Sequence, residues 1–376
     1  MNLILHITTR SDWETSTSTS SVNTVSHPPY TAKSLQTEGF IHCSTPAQVL
    51  MPANAMFKGQ TDLLLLCIDE DLVAADVVYE DCYESGTAFP HIYGPINLDA
   101  VLGVVDFPPN ADGSFNLPTL ITLAAAPILN FDPNPVAVLQ PEHILQKQDI
   151  SEYCVLCFFQ GVITELVENG RLHQVYQLGS ERGPNPVYEM EVEGKRIVVM
   201  HPNVGAPIAA GFMDELIALG CRTFIAAGGC GVLSQEIGAG HVIIPTTAVR
   251  DEGTSYHYLL AGEEVFASET AVHALKTTLD HHHVPYVTGK TWTTDAPYRE
   301  TRKLVSQRQA EGCLTVEMET AAFFAVAQFR GVTFGQILYG GDDLTGDEWD
   351  GRSWQKMRST REKLFWLAVE SCLRLA

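Results

Sequence analysis

The chain has 376 residues, 45% of them hydrophobic, and a formal net charge of −22 at pH 7. A chain of this length can form two domains with sizeable cores. The acidic excess argues against nucleic acid as a partner, because binding a phosphate backbone needs a basic surface. No apolar run is long enough to span a membrane, and the start of the sequence lacks a signal-peptide pattern. We therefore expect a cytoplasmic protein without membrane contact.

The first 107 residues are predicted to form a small α+β domain. Apolar runs predict strands at Leu3–Ile7, Leu63–Ile68 and Asp76–Glu80. The segment Phe89–Pro95 contains two prolines and is predicted to be a loop or an edge strand, because proline cannot donate to a sheet ladder. The region is also strongly acidic, since the first 116 residues contain 14 Asp and Glu residues against three Lys and Arg residues.

A proline-rich stretch follows, with seven prolines between residues 108 and 141, and it predicts an irregular linker. From residue 142 to residue 376, alternating strand and helix patterns indicate an α/β domain whose mixed, largely parallel sheet has helices on both faces. The predicted strands are Tyr153–Phe159, Gln174–Leu178, Val187–Val192, Arg196–Met200, Thr223–Ala227, His241–Ile244, Val284–Lys290 and Phe334–Tyr339. The predicted helices are Ile208–Leu219, Ala271–His281, Arg299–Glu311, Thr320–Phe329 and Trp354–Leu373.

Three polar or glycine-rich segments follow strands, where ligands of α/β proteins usually bind. Gly228–Gly231 is predicted to be a turn that exposes backbone amide donors. Val249–Tyr258 is too polar and too interrupted by glycine for a core segment. Asp342 and Asp343 end the last predicted strand, and one of them can donate a proton if burial and its neighbour raise its pKa. A solvated loop explains this last pair equally well.

The segment Val316–Phe324 contains two carboxylates, Glu317 and Glu319, on either side of Met318. At the start of a helix, both carboxylates can stay ionised beside the positive end of the helix dipole and accept hydrogen bonds from adjacent hydroxyls. The methionine offers a soft apolar surface. A ribose has two adjacent hydroxyls and an apolar face, so the segment fits a ribose site. The alternative is that both acids only stabilise the helix start and that the methionine is part of the core.

Together these motifs resemble the nucleoside phosphorylase and nucleosidase superfamily. The matching segments are Gly205–Ala210, Ala227–Gly231, Arg250–His257, Thr294–Tyr298, Val316–Glu319 and Gly341–Asp342. The resemblance implies a three-layer α/β/α sandwich that cleaves the N-glycosidic bond of a small-molecule ribonucleoside. It also implies a homo-oligomer, either a dimer or a hexamer of dimers. Phosphate would be the co-substrate, and no cofactor and no metal are expected.

The resemblance also implies roles for individual residues. Met318 would contact the ribose, Glu317 and Glu319 would bind its hydroxyls, and Asp342 would lie beside the base as the proton donor. Arg182 would contact phosphate in a neighbouring subunit. The remaining implied substrate-binding residues are Gly228, Gly229, Thr294, Tyr298 and His143.

The sequence departs from the superfamily's phosphorylases at the phosphate site. Their Gly-Asp-Pro loop after the first strand is absent, and the corresponding segment here is Cys157–Val162. An arginine and a threonine that bind phosphate are replaced by Ala226 and Gly229. Phosphorolysis is the favoured prediction, with hydrolysis by water and non-catalytic nucleoside binding as alternatives. Asp342 favours a purine base, but a pyrimidine stays open.

The N-terminal region resembles DUF952, a family of small bacterial domains without an assigned function. The resemblance rests on Gly39–Thr45 and Phe89–Pro95. That family is distantly similar to ADP-ribosyltransferase folds, which implies that His42, Ser44 and His91 line a pocket for the ribose of a nucleotide-derived ligand. The alternative for His42 is a half-buried histidine whose hydrogen bonds are satisfied within the protein.

Overall fold

A computed structural model describes the chain in six stretches: 2–17, 29–82, 86–118, 121, 127–181 and 183–376. The chain divides into two compact units, Met1–Asn130 and Phe131–Ala376. The division falls inside the segment predicted as a linker, so that segment contributes residues to both units. None of the helices in the described stretches combines the length and the apolar character needed to cross a membrane.

The first unit contains two small antiparallel sheets and three short helices in its described residues. The strands are β1 (Leu3–Thr9), β2 (Ile41–His42), β3 (Leu63–Asp69), β4 (Val77–Glu80), β5 (Phe89–Ile92) and β6 (Val101–Asp106). The helices are α1 (Arg10–Thr17), α2 (Lys33–Thr37) and α3 (Leu50–Met56). One sheet has the order β1-β3-β6 and the other has the order β2-β5-β4. The small α+β domain expected at the N-terminus is therefore present, and it is rich in β-structure.

The prediction of a loop or edge strand at Phe89–Pro95 is wrong, because β5 is the central strand of its sheet. Pro90 is tolerated there because β2 is only two residues long and pairs with Ile92 and His91. The Pro90 carbonyl still accepts a hydrogen bond from the Cys43 amide at 2.9 Å. Proline removes a donor but keeps its acceptor, so a short ladder can accommodate it.

The second unit contains a ten-stranded mixed sheet in its described residues. Its strands are β7 (Tyr153–Cys157), β8 (His173–Ser180), β9 (Gly183–Val192), β10 (Lys195–Met200), β11 (Thr223–Val232), β12 (Val242–Asp251), β13 (Glu264–Phe266), β14 (Tyr286–Thr294), β15 (Cys313–Glu317) and β16 (Thr333–Asp343). Its helices are α4 (Pro141–Ile144), α5 (Gln160–Glu168), α6 (Ala206–Leu219), α7 (Glu269–His281), α8 (Arg302–Ala310), α9 (Thr320–Arg330) and α10 (Arg358–Leu373).

Both parallel and antiparallel pairs occur in this sheet, which confirms the predicted mixed sheet. β7 pairs in parallel with β10 and β11, and β11 also pairs in parallel with β16. β9 and β8 continue the sheet in antiparallel fashion at one edge. β16 pairs with β12 as well as with β11, so it connects two strands that are not neighbours in the main strand order. The ends of β11, β15 and β16 are thereby brought together.

The side chains of successive residues in the central strands point to opposite faces of the sheet and pack in two different hydrophobic cores. Cys154 and Leu156 of β7 belong to one core, whereas Val155 and Cys157 belong to the other. Helices α6 and α9 cover the first face, and helices α5, α7 and α10 cover the second. Side chains alternate across a strand, so a sheet with an unbroken apolar run must be buried on both sides. The layering of helix, sheet and helix expected from the resemblance is confirmed.

One local prediction fails beside the acidic segment, and another is confirmed. Gly228–Gly231 is not a turn, because β11 continues through it to Val232 and pairs with β16. The predicted helix start at Thr320 is correct, but the strand β15 that ends at Glu317 was not predicted. In both strands the extended backbone is stabilised by pairing with a strand that is distant in the sequence. Periodicity within one segment does not report such pairing.

Candidate functional site

A cavity of about 820 Å³ lies where β11, β15 and β16 end. Its volume is within the range of small-molecule sites. Seven residues selected from the sequence line it: Gly228, Gly229, Tyr298, Glu317, Met318, Glu319 and Asp342. Tyr298 is 99% exposed and lies at the rim, whereas Glu317 and Glu319 are almost fully buried. The structure therefore brings most of the predicted site together.

Glu317 is held in place by three hydrogen bonds. Its Oε2 accepts from the backbone amides of Glu319 and Thr320, both at 2.7 Å, and its Oε1 accepts from the Thr293 hydroxyl at 2.6 Å. Two of these donors belong to the start of α9, so the carboxylate satisfies amides that have no partner within the helix. Burial raises the pKa of Glu317, and the three donors oppose that effect. Glu317 thus combines a place in the cavity lining with a structural role.

Glu319 has a less saturated carboxylate. Its Oε1 accepts from the Gly205 amide at 2.6 Å. Burial, and then the charge of Glu317, raises the pKa of Glu319 to about 8. Burial and the neighbouring charge thus oppose ionisation of Glu319, whereas the Gly205 amide favours it, so the expectation that both carboxylates stay ionised stays a prediction. Met318 lies between them, half-buried and facing the same cavity.

Asp342 lies at the end of β16 and lines the same cavity. Its Oδ2 accepts a hydrogen bond from the Trp349 indole at 2.7 Å. A second carboxyl, Glu300, lines the cavity as well and was missed by the sequence analysis. Burial, and then the charge of Asp342, raises the pKa of Glu300 to about 7. An acid with this pKa is partly protonated at neutral pH, so it can donate a proton to a ligand.

Arg361 of α10 brings a positive charge to this cavity and was also missed. Its guanidinium lies between 5.4 and 5.9 Å from the ring centres of Phe159, Tyr339 and Trp354. Nε donates to the Tyr339 hydroxyl at 2.9 Å and Nη2 to the Trp354 carbonyl at 3.2 Å. Among the described residues, Nη1 has no hydrogen-bond partner, so Arg361 retains a donor for an anion.

Gly229 lies close to the aromatic residue that Arg361 contacts. A Cβ at position 229 would lie 3.2 Å from the Tyr339 ring, closer than most real Cβ contacts. Glycine therefore lets β11 approach that ring and leaves the strand surface open toward the cavity. The glycines of this segment shape the cavity through a strand rather than through the predicted turn.

The first unit contains a separate cavity of about 400 Å³. His42, Ser44 and His91 all line it, as predicted from the sequence. The register of β2 and β5 places His42 opposite His91, with ring centres 5.2 Å apart. Glu80 and Tyr30 also line the cavity and were not selected from the sequence. Glu80 accepts from Nδ1 of His91 at 3.1 Å.

The matches to known families follow the division into two units. Residues 152–374 match the phosphorylase superfamily, which is more than half of the chain. The chain belongs to this superfamily. Residues 7–104 match DUF952, a family described as a protein of unknown function. Both resemblances found in the sequence are thereby confirmed.

Individual members of the phosphorylase superfamily are distant relatives. A guanosine phosphorylase from Halorubrum lacusprofundi is 24% identical over 198 residues, which cover 53% of this chain and 81% of that protein. A uridine phosphorylase structure from Vibrio fischeri ES114 covers 63% of this chain and 99% of its own, at 23% identity and a TM-score of 0.52. An AMP nucleosidase structure from Bacteroides thetaiotaomicron VPI-5482 covers 60% and 89%, at 22% identity and a TM-score of 0.50. The two structures share the fold with this chain.

Two predicted residues of the phosphorylase-superfamily unit are not in the cavity lining, and the position of a third is not described. Thr294 is buried at the end of β14, where its hydroxyl accepts from the Ala296 amide at 3.2 Å. His143 is exposed in α4, and its Nδ1 accepts from the Gln140 amide at 3.2 Å. Arg182 lies outside the described residues. Their predicted contacts with substrate stay predictions.

The segment Val249–Tyr258, predicted to be too polar for a core, is buried only in part, because Asp251 and His257 are exposed. Arg250 and Glu252 are each 5% exposed, and Ser255 is fully buried. Arg250 donates to the Ser255 hydroxyl at 2.9 Å, and Glu252 accepts from the Ser255 amide at 3.0 Å. Buried polar groups are tolerated when they are hydrogen-bonded to each other. The segment does not belong to the lining of the 820 Å³ cavity.

Two groups of ligand-type side chains bear on the expectation that no metal is bound. In the described residues, Glu80, Cys82 and His91 bring one ligand atom each within 4.8 Å of one another, and so do His281, His282 and Glu370. Cys82 is exposed, and Nδ1 of His91 is already paired with Glu80. The expectation stays a prediction, since such groups also occur without an ion.

Proposed function

We propose that the phosphorylase-superfamily unit cleaves the N-glycosidic bond of a purine ribonucleoside by phosphorolysis, giving the free base and ribose 1-phosphate. The proposal rests on two pairs of side chains that line the same cavity. One pair is Met318 with Glu319, and the other is the acid pair Glu300 with Asp342. Phosphate is the only co-substrate in this proposal, and the reaction needs no cofactor.

Ribose recognition is assigned to Glu319 and Met318. Glu319 has one carboxylate oxygen bound to the Gly205 amide and can offer the other to the ribose hydroxyls. The Met318 side chain can contact the apolar face of the sugar. Glu317 is assigned a supporting part, because it already accepts from three protein donors and fixes the start of α9. Such fixed partners hold a binding residue in its productive geometry.

Protonation of the leaving base is assigned to Glu300, with Asp342 as its charged neighbour. Cleavage passes through an oxocarbenium-like sugar, and a protonated purine leaves more easily than an anionic one. The indole of Trp349 donates to Asp342 at 2.7 Å, so one oxygen of that carboxylate already has a partner. Glu300 is therefore the group assigned to hold the proton, since its pKa is raised to about 7 by burial and then by the charge of Asp342. A purine is favoured because a pyrimidine does not offer the same ring nitrogen to an acid.

Phosphate binding is assigned to Arg361, the backbone of Gly228–Gly231 and Arg182 from a neighbouring subunit. Support for an anion comes from the unpaired Nη1 of Arg361 and from its place in the cavity lining. Arginine binds phosphate oxygens well because its donors are always charged. The Gly-Asp-Pro loop of other phosphorylases is replaced here by Phe158 and Phe159. An arginine from α10 would compensate for that loss.

The deciding experiment measures base release from inosine and adenosine at increasing phosphate concentration, and compares the wild type with Arg182→Ala. Phosphorolysis requires strict phosphate dependence and ribose 1-phosphate as a product. Full activity in phosphate-free buffer, with free ribose as the product, would instead identify a nucleosidase. Tight nucleoside binding without any base release would favour the non-catalytic alternative. Arg182→Ala should raise the phosphate KM if a neighbouring subunit contributes this residue.

Hydrolysis is the second candidate, and one feature of this chain favours it. Most phosphate ligands of the superfamily's phosphorylases are missing here, including the residues replaced by Ala226 and Gly229. Water needs no such ligands. The fold shared with an AMP nucleosidase is compatible with either nucleophile.

A homo-oligomer, either a dimer or a hexamer of dimers, is proposed as the active form. The segment around His143 supports this proposal, because it exposes apolar side chains that water solvates poorly. Val136, Leu139 and Ile144 are between 64 and 69% exposed. A contiguous exposed apolar segment is typical of a subunit interface. Light scattering on the full chain and on Val136→Asp would test whether this segment holds subunits together.

A further inference from the structure

The cavity of the DUF952-like unit has walls suited to a flat apolar ligand. Met51, Met56, Phe57 and Phe89 lie in its lining, and its volume is about 400 Å³. Sites for small molecules have volumes of about 300–1,000 Å³. Aromatic and thioether side chains form favourable contacts with flat ring systems. This cavity is therefore large enough for a ligand with one or two rings.

One end of the cavity carries oriented polar groups. His91 is only 2% exposed, and its Nδ1 lies 3.1 Å from Oε1 of Glu80. A carboxylate can only accept, so Nδ1 of His91 donates to Glu80. The Tyr93 hydroxyl, followed by His91, lowers the pKa of Glu80, so this carboxylate is charged at neutral pH. The polar end thus offers the negative charge of Glu80 to a ligand.

The unit has almost no positive charge with which to bind a phosphate. Between residues 1 and 130 the sequence contains three lysines and arginines: Arg10, Lys33 and Lys58. Arg10 is paired with Asp106, and Lys33 is paired with Asp12 at 2.9 Å. Lys58 is not in the lining of the cavity. This count holds for the complete sequence of the unit, including the stretches whose structure is not described.

We propose that this cavity binds a flat aromatic ligand that carries no phosphate and is either uncharged or singly positive. Phosphate-bearing nucleotides are disfavoured, because Lys33, the lysine among the described lining residues, is already paired with Asp12, and each phosphate would add negative charge beside Asp12 and Glu80. The proposal narrows the ligand class suggested by the resemblance to ADP-ribosyltransferase folds. It is independent of the reaction assigned to the other unit.

The charge requirement can be tested with three molecules of nearly the same shape. Benzamidinium is positive, benzamide is uncharged and benzoate is negative. Ligand-observed saturation-transfer NMR on the full chain measures the affinity of each. We expect benzamidinium and benzamide to bind, and benzoate to bind at least about tenfold more weakly, because like charges repel in a partly desolvated site. If none of the three binds, or if benzoate binds as well as benzamide, the proposal is overturned.

Matched variants locate the binding. Ala55→Trp fills the cavity from an exposed position in α3, and Ala111→Trp adds the same side chain at an exposed position outside the lining. Ala55→Trp should abolish the signals, and Ala111→Trp should keep them. Both variants should unfold at the wild-type temperature. Signals that survive Ala55→Trp would place the binding elsewhere and contradict the proposal.

A further variant tests the source of the charge preference. Glu80→Gln keeps the shape of the side chain and removes its charge. The preference for benzamidinium over benzamide should then fall toward one, while benzamide affinity stays within about threefold of wild type. An unchanged preference in Glu80→Gln would show that the net charge of the unit, and not this cavity, selects cations.

Discussion

The cavity of the phosphorylase-superfamily unit and the cavity of the DUF952-like unit both contain carboxylates, but they differ in positive charge. The first holds Arg361, whose Nη1 has no partner among the described residues. The cation in the lining of the second is Lys33, which is paired with Asp12. A cavity with an unsatisfied guanidinium favours an anion such as phosphate, whereas an acidic cavity whose lysine is already paired disfavours one. The proposals of a phosphate reaction in the first cavity and of a phosphate-free ligand in the second both rest on this difference.

The largest effect is expected from Glu300→Gln, which removes the assigned proton donor and keeps its shape. Base release from a purine nucleoside should fall by about 10²–10⁴-fold in kcat/KM. Only protonated Glu300 can donate, so wild-type activity should be highest below pH 7 and fall as the pH rises through the Glu300 pKa of about 7. That decline should be absent from the residual activity of the variant. Initial rates across a pH series provide the measurement.

Asp342→Asn is the comparison variant for this experiment. It removes the charge that contributes to the raised pKa of Glu300, so the alkaline decline should move to lower pH and still be present. A decline that disappears in Asp342→Asn and persists in Glu300→Gln would assign the proton to Asp342 instead, as the sequence alone suggested. Glu168→Gln on the exposed end of α5 should change neither rate nor profile.

The next largest effect is expected from Glu319→Gln. The substitution keeps the side-chain shape but weakens a charge-assisted hydrogen bond to the ribose, which contributes about 1.5–3 kcal/mol. Nucleoside affinity or turnover should fall at least about tenfold, as measured by steady-state kinetics. A folded variant with wild-type kinetics would remove Glu319 from the site. The corresponding change in the other unit, Glu80→Gln, should leave nucleoside turnover unchanged.

Arg361→Met removes from the 820 Å³ cavity the guanidinium assigned to phosphate, while Arg302, which also lines the cavity and donates to the Leu344 carbonyl, remains. The phosphate KM should rise about tenfold, because one charge-assisted hydrogen bond is lost, while the nucleoside KM changes little. Arg358→Met is the matched control, since Arg358 lies on the same helix but pairs with Glu165 at the surface. An equal rise of the phosphate KM in both variants would show an effect of net charge rather than a phosphate contact.

The smallest effect is expected from Gly205→Ala. Gly205 has φ of 105° and donates its amide to Glu319. An alanine in this sparsely populated backbone region (φ 105°, ψ 137°) costs about 1–3 kcal/mol, so the free energy of unfolding should fall by that amount in urea denaturation. The nucleoside KM should rise as well, because the amide that positions Glu319 is displaced. Gly161→Ala in α5, where the backbone is unstrained and space is open, should leave the free energy of unfolding unchanged or slightly raised.

Much of the fold was predictable because the apolar runs of the second unit are long and buried on both faces. The predicted strand Tyr153–Phe159 is close to β7, and the predicted helix Ile208–Leu219 lies inside α6. Helix α5 was missed because it contains a glycine in its first turn and has only nine residues. β15 was missed because its five residues adjoin a helix, and its extended state depends on pairing with β14.

The sequence by itself determined the family, the acidic residues around Met318 and the histidines of the first unit. Each of these inferences rests on short motifs, and the residues of one motif are neighbours along the chain. Only the tertiary structure decided which groups act together. The pKa of Glu300 is raised by burial and by the charge of Asp342, which is 42 positions further along the chain. Arg361, which belongs to the last helix, lines the same cavity. Burial and charge proximity depend on distances in space, which no spacing within one segment encodes.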